Sequence, residues 1–348
     1  MVSEAPPFWW QKADWRAWSL WPASALYGVA ARHRLRTAPR KRIDIPVLCV
    51  GNLTVGGTGK TPVAIAFAKA AKTMSLKPGF LSRGHGGSVS GAHLVNLHHD
   101  GARYVGDEPM LLAAHAPTAV SAKRAEGVKL LLGEGCDFVI MDDGFQSAQI
   151  HIDYALIVID AERGIGNGHT IPGGPMRASL VDQMRHASAL LEMGTGDASA
   201  TVIRHAARAG RAVYRAHMRP LANENLRGRR CLAFAGIGNP QKFHRTLVEL
   251  GGEVAMARNF PDHHFYSADE ARDLMALAEK NDLVLVTTTK DAIRLTHGSH
   301  DLEALHERTE TVEIDVVFEV ATTPAAIIEE TLKAWRRRRL EGVGQVEG

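Results

Sequence analysis

From residue 43 onward, short unbroken apolar runs alternate with stretches in which apolar residues recur at helical spacing. The runs at 43–50 (IDIPVLCV), 136–143 (CDFVIMDD), 154–160 (YALIVID) and 189–194 (ALLEMG) have the length and continuity of strands buried on both faces. Between them, 60–74 predicts a helix rich in Ala and Lys, 107–115 and 122–133 predict two more, and GFLS at 79–82 predicts a short strand. Residues 215–230 (RAHMRPLANENLRGRR) read as a polar loop and a junction between domains. Alternation then resumes through strands in CLAFAGIG (231–238), EVAMA (253–257), DLVLVTT (282–288) and TVEIDVVFE (311–319), with helices between. Ser267, followed three residues later by Glu270, is a capping box, and the last helix ends in Trp335 and four arginines. Such alternation predicts an α/β protein with a mostly parallel sheet in each half. The expected division is a segment at 1–42, a first domain at 43–225 and a smaller second α/β subdomain at 226–348.

The first 42 residues break that pattern. Trp9, Trp10, Trp15, Trp18 and Trp21 crowd its start, and no acid occurs between Trp15 and Ile43. Arg32, Arg34, Arg36, Arg40, Lys41 and Arg42 follow. The uncharged stretch 17–31 falls short of the roughly 20 residues that cross a bilayer. Aromatics ahead of a cationic cluster predict a helix at a membrane interface, with its basic residues near anionic lipid. The competing reading packs the tryptophans on the protein's own core.

Composition narrows the class without changing that picture. A net charge of +3, 45% hydrophobic and 23% charged residues exclude a disordered chain and a general nucleic-acid binder. Cys49, Cys136 and Cys231 lie in or beside apolar runs, at spacings that match no metal site. They predict free, buried thiols and a cytosol-facing protein.

The chemistry begins directly after the first strand. Thr54-Val55-Gly56-Gly57-Thr58-Gly59-Lys60-Thr61 stands between a buried strand and a helix, the setting a phosphate-binding P-loop requires. Its glycines let backbone N–H groups turn toward phosphate oxygens, and the helix start adds positive potential. Lys60 is expected on the β- and γ-phosphates and the Thr61 hydroxyl on Mg²⁺. Asp142 and Asp143 close a second buried strand, where a Walker-B carboxylate meets that metal. Together they predict a P-loop NTPase-type sheet that binds a nucleoside triphosphate with Mg²⁺.

VGNLTVGGTGKTP (50–62), LSRGHGG (81–87), VGDEP (105–109), MDDGFQ (141–146), FAGIGNPQKF (234–243), FPDHHFYS (260–267) and TKDA (289–292) occur in one order over about residues 45–292. In these segments the chain resembles the tetraacyldisaccharide 4'-kinases, which phosphorylate the lipid A precursor at the inner membrane. An aromatic, basic N-terminal segment is also characteristic of that family, and the Thr54 that replaces the first P-loop glycine fits it. The resemblance implies an ATP-dependent kinase of two α/β subdomains acting on the 4'-hydroxyl of a tetraacylated glucosamine disaccharide 1-phosphate. It further implies an Asp–His pair at that hydroxyl, matched by Asp107 and by His263, with His264 adjacent. Apart from the resemblance, Gly-Asp-Glu-Pro at 106–109 reads as a helix start. Lys60, Arg177 and Arg83 are expected to offset charge on the transferring phosphoryl and on the acceptor's own phosphate. The implied partners are the acylated disaccharide and, through 1–42, the cytoplasmic face of the inner membrane, with no nucleic acid and no obligatory protein partner. Three positions depart from the family's usual residues: Ser147 for His, Ala178 for Glu and Thr289 for Glu.

The alternative is a P-loop GTPase or ATPase serving as a switch or metal-insertion chaperone. Val55 stands where many such ATPases carry a signature Lys, and Thr289-Lys290-Asp291 puts the acid one place too early for a guanine reader. A nucleotide-regulated membrane adaptor without catalysis is a third reading.

Overall fold

The computed structural model describes residues 5–147 and 149–343. The ends of the expected first and last segments, 1–4 and 344–348, lie outside the described residues. The strands are β1 (Val47–Asn52), β2 (Pro78–Ser82), β3 (Ala92–Leu94), β4 (Thr118–Ser121), β5 (Phe138–Asp142), β6 (Tyr154–Asp160), β7 (Ala189–Met193), β8 (Ala212–Pro220), β9 (Arg230–Ala235), β10 (Glu253–Asn259), β11 (Val284–Thr288), β12 (Thr309–Val312) and β13 (Ile314–Phe318). Among the described residues they form a nine-stranded sheet, ordered β13-β8-β7-β6-β1-β5-β2-β4-β3, and a four-stranded sheet, ordered β10-β9-β11-β12. Every pairing in the smaller sheet is parallel, and in the larger one only the edge strands β3 and β13 run antiparallel to their neighbours.

The unbroken apolar runs became the centre of the large sheet, where β1, β5 and β7 are buried along their whole length. One core cluster, including Leu81, Val139 and Ile157, covers one face of the large sheet; another, including Leu48, Phe67 and Ile140, covers the other. The capping box at Ser267 and Glu270 forms as the spacing predicts. Cys49, Cys136 and Cys231 are free and buried, and burial pushes the Cys49 thiol up to about 12.

Two expectations about organisation fail. Residues 212–220, read in part as loop, form β8, which pairs with β7 and β13. Near the sheet's edge a strand is covered on one side, so its apolar residues alternate with Arg215, His217 and Arg219 and leave no continuous run. The second lobe also does not keep the end of the chain. β13 joins the first sheet, and the helix Thr323–Val343 buries Ile327 and Ile328 in the core beside Phe67. Burying each of these side chains stabilises the fold by about 1.5–3 kcal/mol. The second lobe is thus an insertion between β8 and β13.

The N-terminal segment folds as a helical turn at Pro7–Trp10, a short helix at Trp15–Ser19 and a helix at Trp21–Thr37. It divides its tryptophans. Trp9 is buried and donates through Nε1 to the Pro172 carbonyl at 3.0 Å. Trp15, Trp18 and Trp21 are 76%, 61% and 54% exposed, and Leu26 and Val29 are exposed with them. Among the described residues no helix is long and apolar enough to cross a membrane.

Candidate active site

The P-loop runs from the end of β1 to the helix Lys60–Thr73. Gly56 and Gly59 sit at φ of +104° and +81°, where a side chain is strained. A Cβ on Gly59 would also strike the Met218 Cε from β8. The loop's outer wall is the 170–177 segment: Val55 N–H donates to the Pro175 carbonyl at 2.9 Å, and Arg177 N–H to the Leu53 carbonyl at 3.0 Å. That pairing carries Arg177 to the phosphate end of the sheet.

The parallel register of β1 and β5 sets Val50 opposite Asp142, so the acids close beside the loop. Thr61 Oγ1 lies 3.4 Å from Asp142 Oδ2. Asp143, at φ +50°, is held bidentately by Arg177 at 2.9 and 3.0 Å and stands 3.8 Å from Lys60 Nζ. The two carboxyls are pushed apart. Burial, with the charge of Glu108, raises Asp142 to about 7, whereas burial of Asp143 is outweighed by Lys60 and Arg177, which hold it below its ordinary value. Asn52 Oδ1, Thr58 Oγ1 and Asp142 Oδ1 are buried without a hydrogen-bond partner. Unmet polar atoms at the end of such a loop mark where a ligand supplies the missing contacts. Among the described residues no group of three or more His, Cys, Asp or Glu is arranged to hold a metal ion by itself. Mg²⁺ at a P-loop needs fewer, because phosphate and water oxygens complete its octahedron, and the oxygen pair Thr61 and Asp142 suits that hard ion.

A second centre forms where the helix Thr289–Leu295 packs against the helix Asp107–Ala113, joining the lobes. His263 Nδ1 lies 3.1 Å from Asp107 Oδ2, and the buried Arg294 guanidinium also reaches Oδ2. Lys290 pairs with Glu108 at 3.1 Å. Burial opposes ionisation of Asp107, but the His263 hydrogen bond and the charges of Lys290 and Arg294 hold it far below the usual carboxylate range. The same contact raises His263 above its ordinary value. His264 turns away, with Nε2 3.0 Å from Glu270 and its ring stacked on Phe260. Glu108 and Lys290 also bear on the ionisation of Asp142, so the two centres share one electrostatic field.

The remaining residues named from the sequence are spread more widely. Arg83 is exposed on the glycine-rich loop after β2, and its charge adds to burial in lowering the Arg124 guanidinium. Ser147 donates to the Gly144 carbonyl at 2.8 Å and Thr289 to the Val312 carbonyl at 3.2 Å, while Ala178 is fully buried. Sequence reasoning missed Arg124, Arg294, Lys290 and Glu108. Arg124 opens a helix in a stretch that reads as solvated, yet it is 1% exposed and leaves Nη1 without a partner. The alternation of an arginine with apolar residues in KDAIRL was the only signal for Arg294.

A parallel sheet with a glycine-rich cradle at a strand–helix turn and a carboxylate on the neighbouring strand defines a P-loop NTPase-type protein. The family model described as tetraacyldisaccharide-1-P 4'-kinase matches residues 16–333. A tetraacyldisaccharide 4'-kinase from Mesorhizobium japonicum is 59% identical over 341 residues, covering 98% of this chain and 99% of that one. Another from Agrobacterium fabrum is 52% identical over 340 residues, covering 98% of each. The crystal structure of LpxK from Aquifex aeolicus in complex with ATP shares the fold, with a TM-score of 0.72, 24% identity and coverage of 90% of this chain and 99% of that one. The chain belongs to the tetraacyldisaccharide 4'-kinase family, and its activity is that of a kinase with a hydroxyl acceptor in lipid A biosynthesis. The switch and metal-insertion alternative is not favoured.

Proposed function

We propose that ATP lies on the 54–61 loop, with Lys60 at its outer phosphates, and that Asp107 meets the acceptor 4'-hydroxyl. Mg²⁺, held by Thr61 and Asp142, would offset charge building on the phosphate oxygens. Asp142 is the better ligand of the two acids because Oδ1 has no partner, whereas both Asp143 oxygens are committed to Arg177. Asp143 then serves to aim Arg177, beside Lys60, at the transferring phosphoryl. Arg83, free at the surface, suits the acceptor's own phosphate.

The observation that carries the reading is the meeting of Asp107 and His263, 156 positions apart, at 3.1 Å. The acceptor oxygen bonds the γ-phosphorus as the bridge to ADP breaks, and its proton passes to Asp107. A carboxylate held so far below its usual range is a weak base, which suffices because the transition state is loose and the proton leaves late. His263 keeps the carboxylate ionised and turned toward the acceptor.

The exposed Trp15, Trp18, Trp21, Leu26 and Val29, followed by the basic stretch at 32–42, suit an interfacial position on the cytoplasmic face of the inner membrane. A four-chain lipid acceptor is not free in water, so docking there brings the enzyme to it. The test is transfer of labelled γ-phosphate to a tetraacyl disaccharide 1-phosphate in mixed micelles. Asp107→Ala should retain nucleotide binding and lose transfer; retained transfer removes Asp107 from the chemistry.

A further inference from the structure

The second lobe offers Asp107 two donors, and both are built on one peptide. Arg294 Nη1 donates to the Gly236 carbonyl at 2.7 Å, and the His263 N–H donates to the same oxygen at 3.1 Å. Asp291 Oδ1 accepts the Gly236 N–H at 3.0 Å and Arg294 Nη1 at 2.8 Å. A Cβ at Gly236 would press on His264 Cβ at 3.1 Å and on Asp291 and the Pro261 carbonyl, each at 3.2 Å, so the turn after β9 is tight for any side chain. From this frame Arg294 Nη2 and His263 Nδ1 converge on Asp107 Oδ2. Oδ1 accepts the Glu108 N–H at 2.9 Å, which leaves it a lone pair.

We propose that Arg294 is a positioning residue for phosphoryl transfer: by occupying Oδ2 together with His263, it turns Oδ1 of Asp107 toward the acceptor hydroxyl. This rests on the reading of Asp107 given above. Arg294 neither takes nor gives the proton; it fixes which oxygen receives it and ties that aim to the packing of the two lobes. Its fork spans Asp107, Asp291 and the Gly236 carbonyl at once, which a lysine ammonium on a flexible stem does not reproduce. The charged groups facing Asp107 are His263 from the 260–266 loop, Arg294 and Lys290 from the helix Thr289–Leu295, and Glu108 beside it. Removing one cation from that set makes Asp107 easier to protonate.

The experiment measures kcat, both KM values and the pH profile of transfer for the wild-type enzyme, Arg294→Lys, Arg294→Met and Asp107→Asn. Arg294→Lys keeps the charge but loses the fork, so kcat should fall about tenfold, with KM for ATP within about twofold and the acid limb in place. Arg294→Met loses both, so kcat should fall about a hundredfold, again with KM for ATP within about twofold. Should Arg294→Met not fold, Arg294→Lys decides alone. Wild-type kcat in Arg294→Lys, or a loss seen in KM instead, overturns the proposal. So does wild-type kcat in a folded Arg294→Met. Asp107→Asn separates the two failures, because wild-type transfer in that variant overturns the reading of Asp107 itself.

Discussion

The phosphate cradle draws its polar groups from 52–61 and 142–143, with Arg177 brought in by backbone pairing, all within the first lobe. The Asp107 centre draws on 107–108, 236, 263 and 290–294, from both lobes. In the cradle the backbone does most of the work, and φ values of +104° and +81° at Gly56 and Gly59 are its requirement. At the second centre, buried side chains hold one another, so the site exists only while the lobes are packed. Stripping one partner from a buried ion pair of this kind typically costs about 3–5 kcal/mol, because the other charge is left unpaired. The cradle is therefore locally determined, and the acceptor centre is determined by tertiary structure.

Substitutions can break that contrast at either end. Lys60→Ala removes the cation proposed to meet the outer phosphates and should lower turnover about a thousandfold while also weakening nucleotide binding, measured by titration with a non-hydrolysable analogue. Full binding with lost turnover would place Lys60 in the chemistry alone. Asp142→Asn should lower turnover by about two orders of magnitude and abolish the pH dependence of Mg²⁺ binding. In the wild type, burial raises Asp142 to about 7, so on the proposed assignment its proton would compete with the metal below that pH, and Mg²⁺ affinity should climb from pH 6 to pH 8. A flat affinity across that range would remove Asp142 from the metal.

The acceptor end should respond more mildly to loss of its histidine. His263→Ala is expected to cost about 10–100-fold in kcat with nucleotide binding intact. Stability gives a second readout whose sign is fixed. The folded value of His263 is raised above its ordinary 6.5 by Asp107, so its contribution is full below that pH and fades as pH rises through the folded value. Thermal melts should therefore show the gap between wild type and His263→Ala narrowing from pH 6 upward. The smallest effect on chemistry belongs to the exposed aromatics. Trp15, Trp18 and Trp21 changed together to Ser should abolish salt-sensitive sedimentation with anionic vesicles yet leave ATP binding unchanged. These substitutions are cleaner than deletion of 1–42, because Trp9 is buried and a Cβ on Gly56 would meet Trp10 at 3.7 Å.

The same contrast explains what could be read along the chain. β1, β5, β6 and β7 announce themselves because burial on both faces demands unbroken apolar residues. The P-loop announces itself because its strand, glycines, Lys60 and Thr61 are contiguous. β8 did not, since an edge position permits Arg215, His217 and Arg219, and nothing in 314–343 says which of two sheets those residues will join. At the acceptor end, Asp107 and His263 entered only through resemblance to a family, for each alone reads as a helix start or a surface histidine. Arg294 left only the pattern of KDAIRL, because the partners that give it a place at the site, Gly236 and Asp107, lie 58 and 187 positions away.

The central claim is that Asp107, assembled with His263 across the lobes, acts on the acceptor and not on the nucleotide. Transfer of labelled γ-phosphate from ATP to a tetraacyl disaccharide 1-phosphate, with analogue binding measured on the same samples, tests it most directly. The account predicts that Asp107→Ala binds the analogue as the wild type does and puts no label into lipid above about a thousandth of the wild-type rate. Label entering lipid at the wild-type rate, or loss of analogue binding in step with loss of transfer, would contradict it.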